Sequence, residues 1–211
     1  MNVYVNGCSF SYGNTLENKF AWPDCLPYDV VNESWIAGSN KRIARRTIEH
    51  CSKHNVDLAI VQLTDPYRDE FYDEDFDLWI GMQGDFLHFD DKSINRQDIN
   101  QRFIREKWQK FIDFNLLIRN KKSVLYERYF LINTLILFFK NNNIKYLITG
   151  MSSKCMPEKS EFIVDDGCML EPISHKIQNE KIGVNDNHPN EQGHKHFSRY
   201  IISEIEKRWQ I

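Results

Sequence analysis

The chain has 211 residues, 41% of them hydrophobic and 13% aromatic, and a formal net charge of −3. That is enough apolar side chain for one sizeable core, which excludes a low-complexity disordered chain. A pI near 6.2 excludes an overall basic field that recruits nucleic acid, and five widely spaced cysteines with no CxxC exclude a disulfide framework or a cysteine-based zinc knuckle.

The opening "MNVYVNG" reads as a strand over residues 2–6, not as the basic-then-apolar start of a signal peptide. A turn follows, "GCSFSYG", with two glycines, a thiol and two hydroxyls. Residues 28–32 read as a second strand. Residues 39–54 read as a helix, with Ile43, Thr47 and Cys51 on one face at four-residue spacing. Its "KRIARR" run reads as a solvated face. Residues 56–64, "VDLAIVQLT", form a continuous apolar run, as expected of a parallel strand buried on both faces. Residues 66–122 break the pattern: they are rich in acids and aromatics, then turn helical from 93 to 119. Residues 123–143 read as a long helix; its most apolar part, "YFLINTLILFF", is too short to cross a membrane and contains Asn133. Residues 144–150 read as another buried strand and 151–185 as mostly irregular. A final helix over 190–210 carries the stripe Phe197, Ile201, Ile205 and Trp209.

Short apolar strands alternating with helices predict an α/β fold with a central parallel sheet and helices on both faces. The expected organisation is one domain over residues 1–211 with an insertion at about 66–122. Sites in such folds lie at the carboxyl ends of the strands. The reduced cysteines and the absence of a leader or span predict a soluble, cytoplasmic protein.

Four pieces fall at those strand ends. Ser9 follows the first strand between Gly7 and Gly13, where glycine permits a tight turn and close approach to the backbone. Alone, it is an ordinary turn serine. "DNHPNEQGH" (186–194) places Asp186 and His188 in a loop opening the last helix, with Pro189 suited to its first turn. The plain reading is a helix-capping segment with a surface histidine. The chemical reading is a base, His188, oriented by an acid, Asp186, so that its other nitrogen can take a proton from a serine. "AGSN" offers Gly38 as a backbone donor and Asn40 as a side-chain donor for a developing oxyanion. "QLTDPYR" brings Thr64, Tyr67 and Arg68 to the end of the third strand.

In this order the chain resembles the SGNH, or GDSL-like, hydrolase family. "GCSFSYG" is similar to its first block, Gly-Asp-Ser-x-x-x-Gly, with Cys8 where aspartate usually stands. "GSN" is similar to the second block and "DNHPN" to the last. The resemblance implies a flavodoxin-like three-layer α/β/α sandwich, here with a helical insertion after the third strand. It also implies a Ser9 nucleophile with His188 and Asp186, and hydrolysis of carboxylic esters, small-acyl or carbohydrate O-acetyl, without metal or cofactor. Backbone N–H groups of Ser9 and Gly38 would hold the oxyanion. The chain departs from the family twice. Thr64 stands where the third block has an oxyanion asparagine, so either Thr64 or Asn40 completes the hole. Neutral Asn185 stands at the usual acid position, which leaves Asp186.

Alternative readings are a Cys8 nucleophile, a zinc site from Asp186, His188, His194 and His196, and a catalytically inactive binding protein on the same fold. Trp35, Tyr67 and Arg68 are the expected substrate contacts, with Phe71, Tyr72 and Trp79 as further aromatics for a cleft or a core. Expected partners are a small-molecule or glycan ester, with no nucleic acid and no membrane. The insertion suits a lid or a surface for homo-oligomer formation.

Overall fold

The computed structural model describes residues 1–13, 21–75, 77–83, 86–89, 101–156, 167–177, 180–182 and 186–210. Its centre is a parallel sheet in the order β2-β1-β3-β7, formed by β2 (Asp29–Asn32), β1 (Asn2–Asn6), β3 (Leu58–Leu63) and β7 (Lys145–Gly150). Val5 lies opposite Ile60, and Ile60 opposite Leu147.

Strand side chains alternate between faces, and here each face meets its own helices. Val3, Val5, Leu58, Ile60 and Leu147 pack with Ile173 and Ile177 of α5 (Ile173–Ile177) and with Phe197, Ile201 and Ile205 of α6 (Glu191–Trp209). Tyr4, Ala59, Val61, Tyr146 and Ile148 pack with Ile43 and Cys51 of α2 (Asn40–Lys53) and with Ile132, Ile136 and Phe139 of α4 (Lys121–Asn141). This is a three-layer α/β/α sandwich. All six residues of β3 are buried, as its apolar run required. The stripe on α6 is buried from Phe197 to Ile205, and each such side chain stabilises the fold by about 1.5–3 kcal/mol.

The segment after β3 is part sheet and part helix, which corrects the expectation of a helical insertion. β4 (Asp69–Asp73), β5 (Leu78–Gln83) and β6 (Phe86–Phe89) form an antiparallel sheet. α3 (Gln101–Ile118) follows; the expected helix start at 93 lies outside the described residues. The acids that make β4 look like a loop are matched from outside the strand. Asp69 meets Lys41 at 2.7 Å and Arg119 at 2.6 Å, and Glu70 takes both nitrogens of Arg45 at 3.0 Å. The "KRIARR" run is therefore spent on intramolecular pairs: Arg46 bonds Glu33 and Glu49, and Arg42 donates to the Glu33 carbonyl. Phe71 packs on Trp108 and Phe111, and Trp79 lies beneath Arg45. Phe71 thus belongs to the insertion's own packing, and Trp79 to its contact with α2. Among the described residues, no helix is long and apolar enough to cross a membrane.

Candidate active site

β1 delivers the chain into α1 (Ser9–Tyr12), a single turn closed by Gly13 in the left-handed region (φ 79°). The turn is held from below by Gln62, a fully buried amide in an otherwise apolar strand. Gln62 Oε1 accepts from the Cys8 N–H at 3.1 Å and from Ser11 Oγ at 2.9 Å, while Nε2 donates to the Leu63 carbonyl at 2.6 Å. Gly7 is required for this contact, since a Cβ there would lie 2.7 Å from Gln62 Oε1. Ser11 Oγ also accepts from Trp22 Nε1 at 3.1 Å. Cys8 is fully buried, its sulfur against the Gln62 amide and Met151. It is a packing residue in this arrangement rather than an exposed nucleophile.

From the opposite side comes the loop before α6. His188 Nε2 lies 2.8 Å from Ser9 Oγ, and His188 Nδ1 lies 2.6 Å from Asp186 Oδ1. The same carboxylate oxygen accepts from the His188 backbone N–H at 2.9 Å. These donors hold the Asp186 carboxyl below its ordinary 3.8, the backbone N–H first and the ring next. With Asp186 accepting from Nδ1–H, Nε2 is the acceptor facing the serine hydroxyl. Phe10 packs on the imidazole at 4.9 Å between centroids.

The loop is pinned. Ile182 donates to the His188 carbonyl at 3.0 Å, and Lys181 bridges to Pro189. Asn190 caps α6 by accepting from the Gly193 N–H at 2.9 Å. A Cβ at Gly193 would lie 2.5 Å from the Glu180 carbonyl.

The two further histidines of the zinc alternative, His194 and His196, face elsewhere. His194 is buried, and its Nδ1 accepts from the Trp22 N–H at 3.0 Å. Burial pushes its pKa from 6.5 down to about 4, with His188 adding a smaller push. His196 pairs with Glu180 at 3.1 Å.

The expected oxyanion donors divide. The Ser9 N–H, first in its turn, has no acceptor among the described residues. The Gly38 N–H donates to the Trp35 carbonyl at 3.1 Å, so this expected donor is engaged in its own turn. Asn40 and Thr64 are clamped together: Asn40 Nδ2 donates to the Thr64 carbonyl at 3.2 Å, and the Thr64 N–H donates to Asn40 Oδ1 at 2.9 Å. Thr64 Oγ1 is buried with no hydrogen-bond partner among the described residues. Thr64 thus has an idle hydroxyl, while Asn40 Nδ2 spends one of its two N–H groups on the Thr64 carbonyl.

Trp35 sits at the Ser9 turn, its N–H donating to the Gly7 carbonyl at 3.0 Å and its ring edge-on to Tyr12 at 5.8 Å. Tyr67 is 48% exposed on the turn after β3, and Arg68 lies next to it. Asn185 lies outside the described residues. Sequence reasoning missed the roles of Gln62, Phe10 and His194. One signal was available: a glutamine inside a strand buried on both faces must bond to something.

The sandwich, with its polar cluster at the carboxyl edge of the sheet, defines a three-layer α/β/α class of protein. No protein-family model matches the sequence, and no curated protein matches it. Solved structures do. A protein assigned to the lipolytic G-D-S-L family from Desulfitobacterium hafniense DCB-2 is 12% identical at TM-score 0.50, covering 95% of this chain and 97% of its own. TesA is 11% identical at TM-score 0.53, covering 98% and 99%. The psychrotrophic esterase EstA from Pseudoalteromonas sp., inhibited by monoethylphosphonate, is 9% identical at TM-score 0.51, covering 99% and 98%. At such identities the likeness is one of fold, and the fold is that of the SGNH/GDSL-like hydrolases.

Proposed function

We propose that the protein is a serine hydrolase of carboxylic esters, of the small-acyl or carbohydrate O-acetyl kind, acting through Ser9, His188 and Asp186. One observation carries the reading: the continuous line of hydrogen bonds from Ser9 Oγ to His188 Nε2 (2.8 Å) and from His188 Nδ1 to Asp186 (2.6 Å). The fold shared with EstA and with a lipolytic G-D-S-L protein supports the reaction class.

In the reaction, His188 Nε2 takes the hydroxyl proton as Ser9 Oγ attacks the ester carbonyl. Asp186, ionised, stabilises the imidazolium. The Ser9 N–H and the Thr64 hydroxyl donate to the oxyanion. His188 returns the proton to the departing alcohol oxygen. Water, activated by the same imidazole, then hydrolyses the acyl-serine and restores the enzyme.

Fluorophosphonate labelling read by peptide mass spectrometry tests this directly. The label is expected on Ser9 and absent from His188→Ala. A second reading, a non-catalytic binding protein, is favoured by the engaged Gly38 N–H, which removes one oxyanion donor. An unlabelled but folded protein would select it.

A further inference from the structure

The turn that follows β3 carries an unmatched cation. Arg68 is partly buried, and its Nε and Nη1 are shut off from solvent with no hydrogen-bond partner among the described residues. Among the described residues, Lys41, Arg119 and Arg45 are each matched. Lys41 lies 2.7 Å from both Asp69 and Glu127, and Arg119 lies 2.6 Å from Asp69 and 2.7 Å from Glu127. These four charges line a cavity of about 340 Å³ and neutralise one another across it. Arg45 is paired with Glu70. Asp65, in Arg68's own turn, accepts from the Tyr67 N–H through Oδ1 at 2.8 Å, and its carboxylate is in neither a hydrogen bond nor an ion pair with the Arg68 side chain.

Arginine stays charged at any physiological pH, so it cannot escape by losing its proton. Buried guanidinium N–H groups without an acceptor are costly and persist where an acceptor arrives from outside. The position is suited to a substrate. Arg68 lies on the carboxyl edge of the sheet just beyond Thr64, and β3 is the neighbour of β1, which carries Ser9.

We infer that the ester handled here bears a carboxylate, and that Arg68 binds it. Planar guanidinium matches planar carboxylate in a two-pronged, charge-assisted pair, a better match than a neutral sugar hydroxyl or an alkyl chain. The inference rests on the hydrolase reading above and narrows its substrate class to anionic esters.

Two matched ester pairs test it. 4-Nitrophenyl hemisuccinate against 4-nitrophenyl butyrate varies charge on the acyl side. 4-Acetoxybenzoate against 4-acetoxybenzamide varies it on the alcohol side. After correction for spontaneous hydrolysis, kcat/KM is expected to favour the charged member of one pair by roughly 10- to 100-fold. That ratio should fall toward one in Arg68→Gln and be partly kept in Arg68→Lys, with melting curves confirming that both variants fold. A ratio near one in the unaltered protein, or a ratio unchanged in Arg68→Gln, overturns the inference while leaving the hydrolase intact. Calorimetric titration with succinate and 4-hydroxybenzoate covers a protein that turns over neither pair. Arg68-dependent binding would then keep the carboxylate site and remove the hydrolase, and no binding would remove both.

Discussion

His188 Nε2 lies 2.8 Å from Ser9 Oγ although 179 positions separate the two residues in the chain. The parallel sheet closes that gap: Ser9 rides on the end of β1, and α6 packs across the same face of β1 and β3. Asp186 enters the line through the same loop as His188. Asp186→Asn keeps the shape but removes the charge and can favour the wrong imidazole tautomer. Turnover of a neutral ester should fall by about 10²- to 10⁴-fold with KM little changed. Steady-state kinetics beside Ser9→Ala, expected to lose about 10⁴-fold or more, checks this.

Thr64 is expected to show opposite effects on stability and rate. Its buried hydroxyl has no partner among the described residues, and such groups cost about 1–3 kcal/mol. Thr64→Val keeps the branched shape and removes the hydroxyl. The melting temperature should rise, while kcat drops by about 10²- to 10³-fold if the hydroxyl holds the oxyanion. Thr64→Ser should restore most of the rate. A Val variant with full activity would assign the oxyanion to the Ser9 N–H and Asn40 instead.

Gln62→Met replaces the amide beneath the nucleophile turn by a side chain of similar length. The Cys8 N–H and Ser11 Oγ both lose their acceptor and the Leu63 carbonyl loses a donor, so unfolding free energy should drop by about 2–4 kcal/mol. Gly7→Ala strikes the same contact from the other side, because its methyl falls 2.7 Å from Gln62 Oε1. Denaturant melts on the two variants should show comparable losses, and the double variant less than their sum.

His194 should make the fold sensitive to mild acid. Its pKa is lowered from 6.5 to about 4 by burial, so below pH 6.5 the unfolded chain binds a proton that the folded chain refuses. Stability is therefore full above pH 6.5 and declines as pH falls toward 4, by about 3 kcal/mol from this residue. Comparing denaturation midpoints across pH 4–7 for the unaltered protein and His194→Asn isolates the contribution. The difference between them should grow with pH through that window.

The sandwich was legible because each layer writes its own period. β3 is buried on both faces and reads as an unbroken apolar run, and α2 and α6 show their inner faces at four-residue spacing. β4 was illegible for an equally physical reason. Asp69 and Glu70 are buried in a strand only because Lys41 and Arg45 of α2 and Arg119 of a loop reach them, and local sequence cannot show such pairing. In the site, Ser9, Asp186 and His188 stood out as motifs. The engagement of Gly38 did not, since it depends on how the turn from Trp35 folds. Nor did the contact between Trp22 and His194, whose members lie 172 positions apart.

The two hydrogen bonds that Asp186 Oδ1 accepts, from the backbone N–H and from the ring of His188, make acid and base one rigid cartridge. A three-residue span sets their mutual aim, so the tertiary structure has a single long-range alignment left to achieve, that of the cartridge against the serine. Releasing the contacts with Lys181 and Ile182 would free both groups together, and a change in that short span would silence the pair at a stroke with the sandwich untouched.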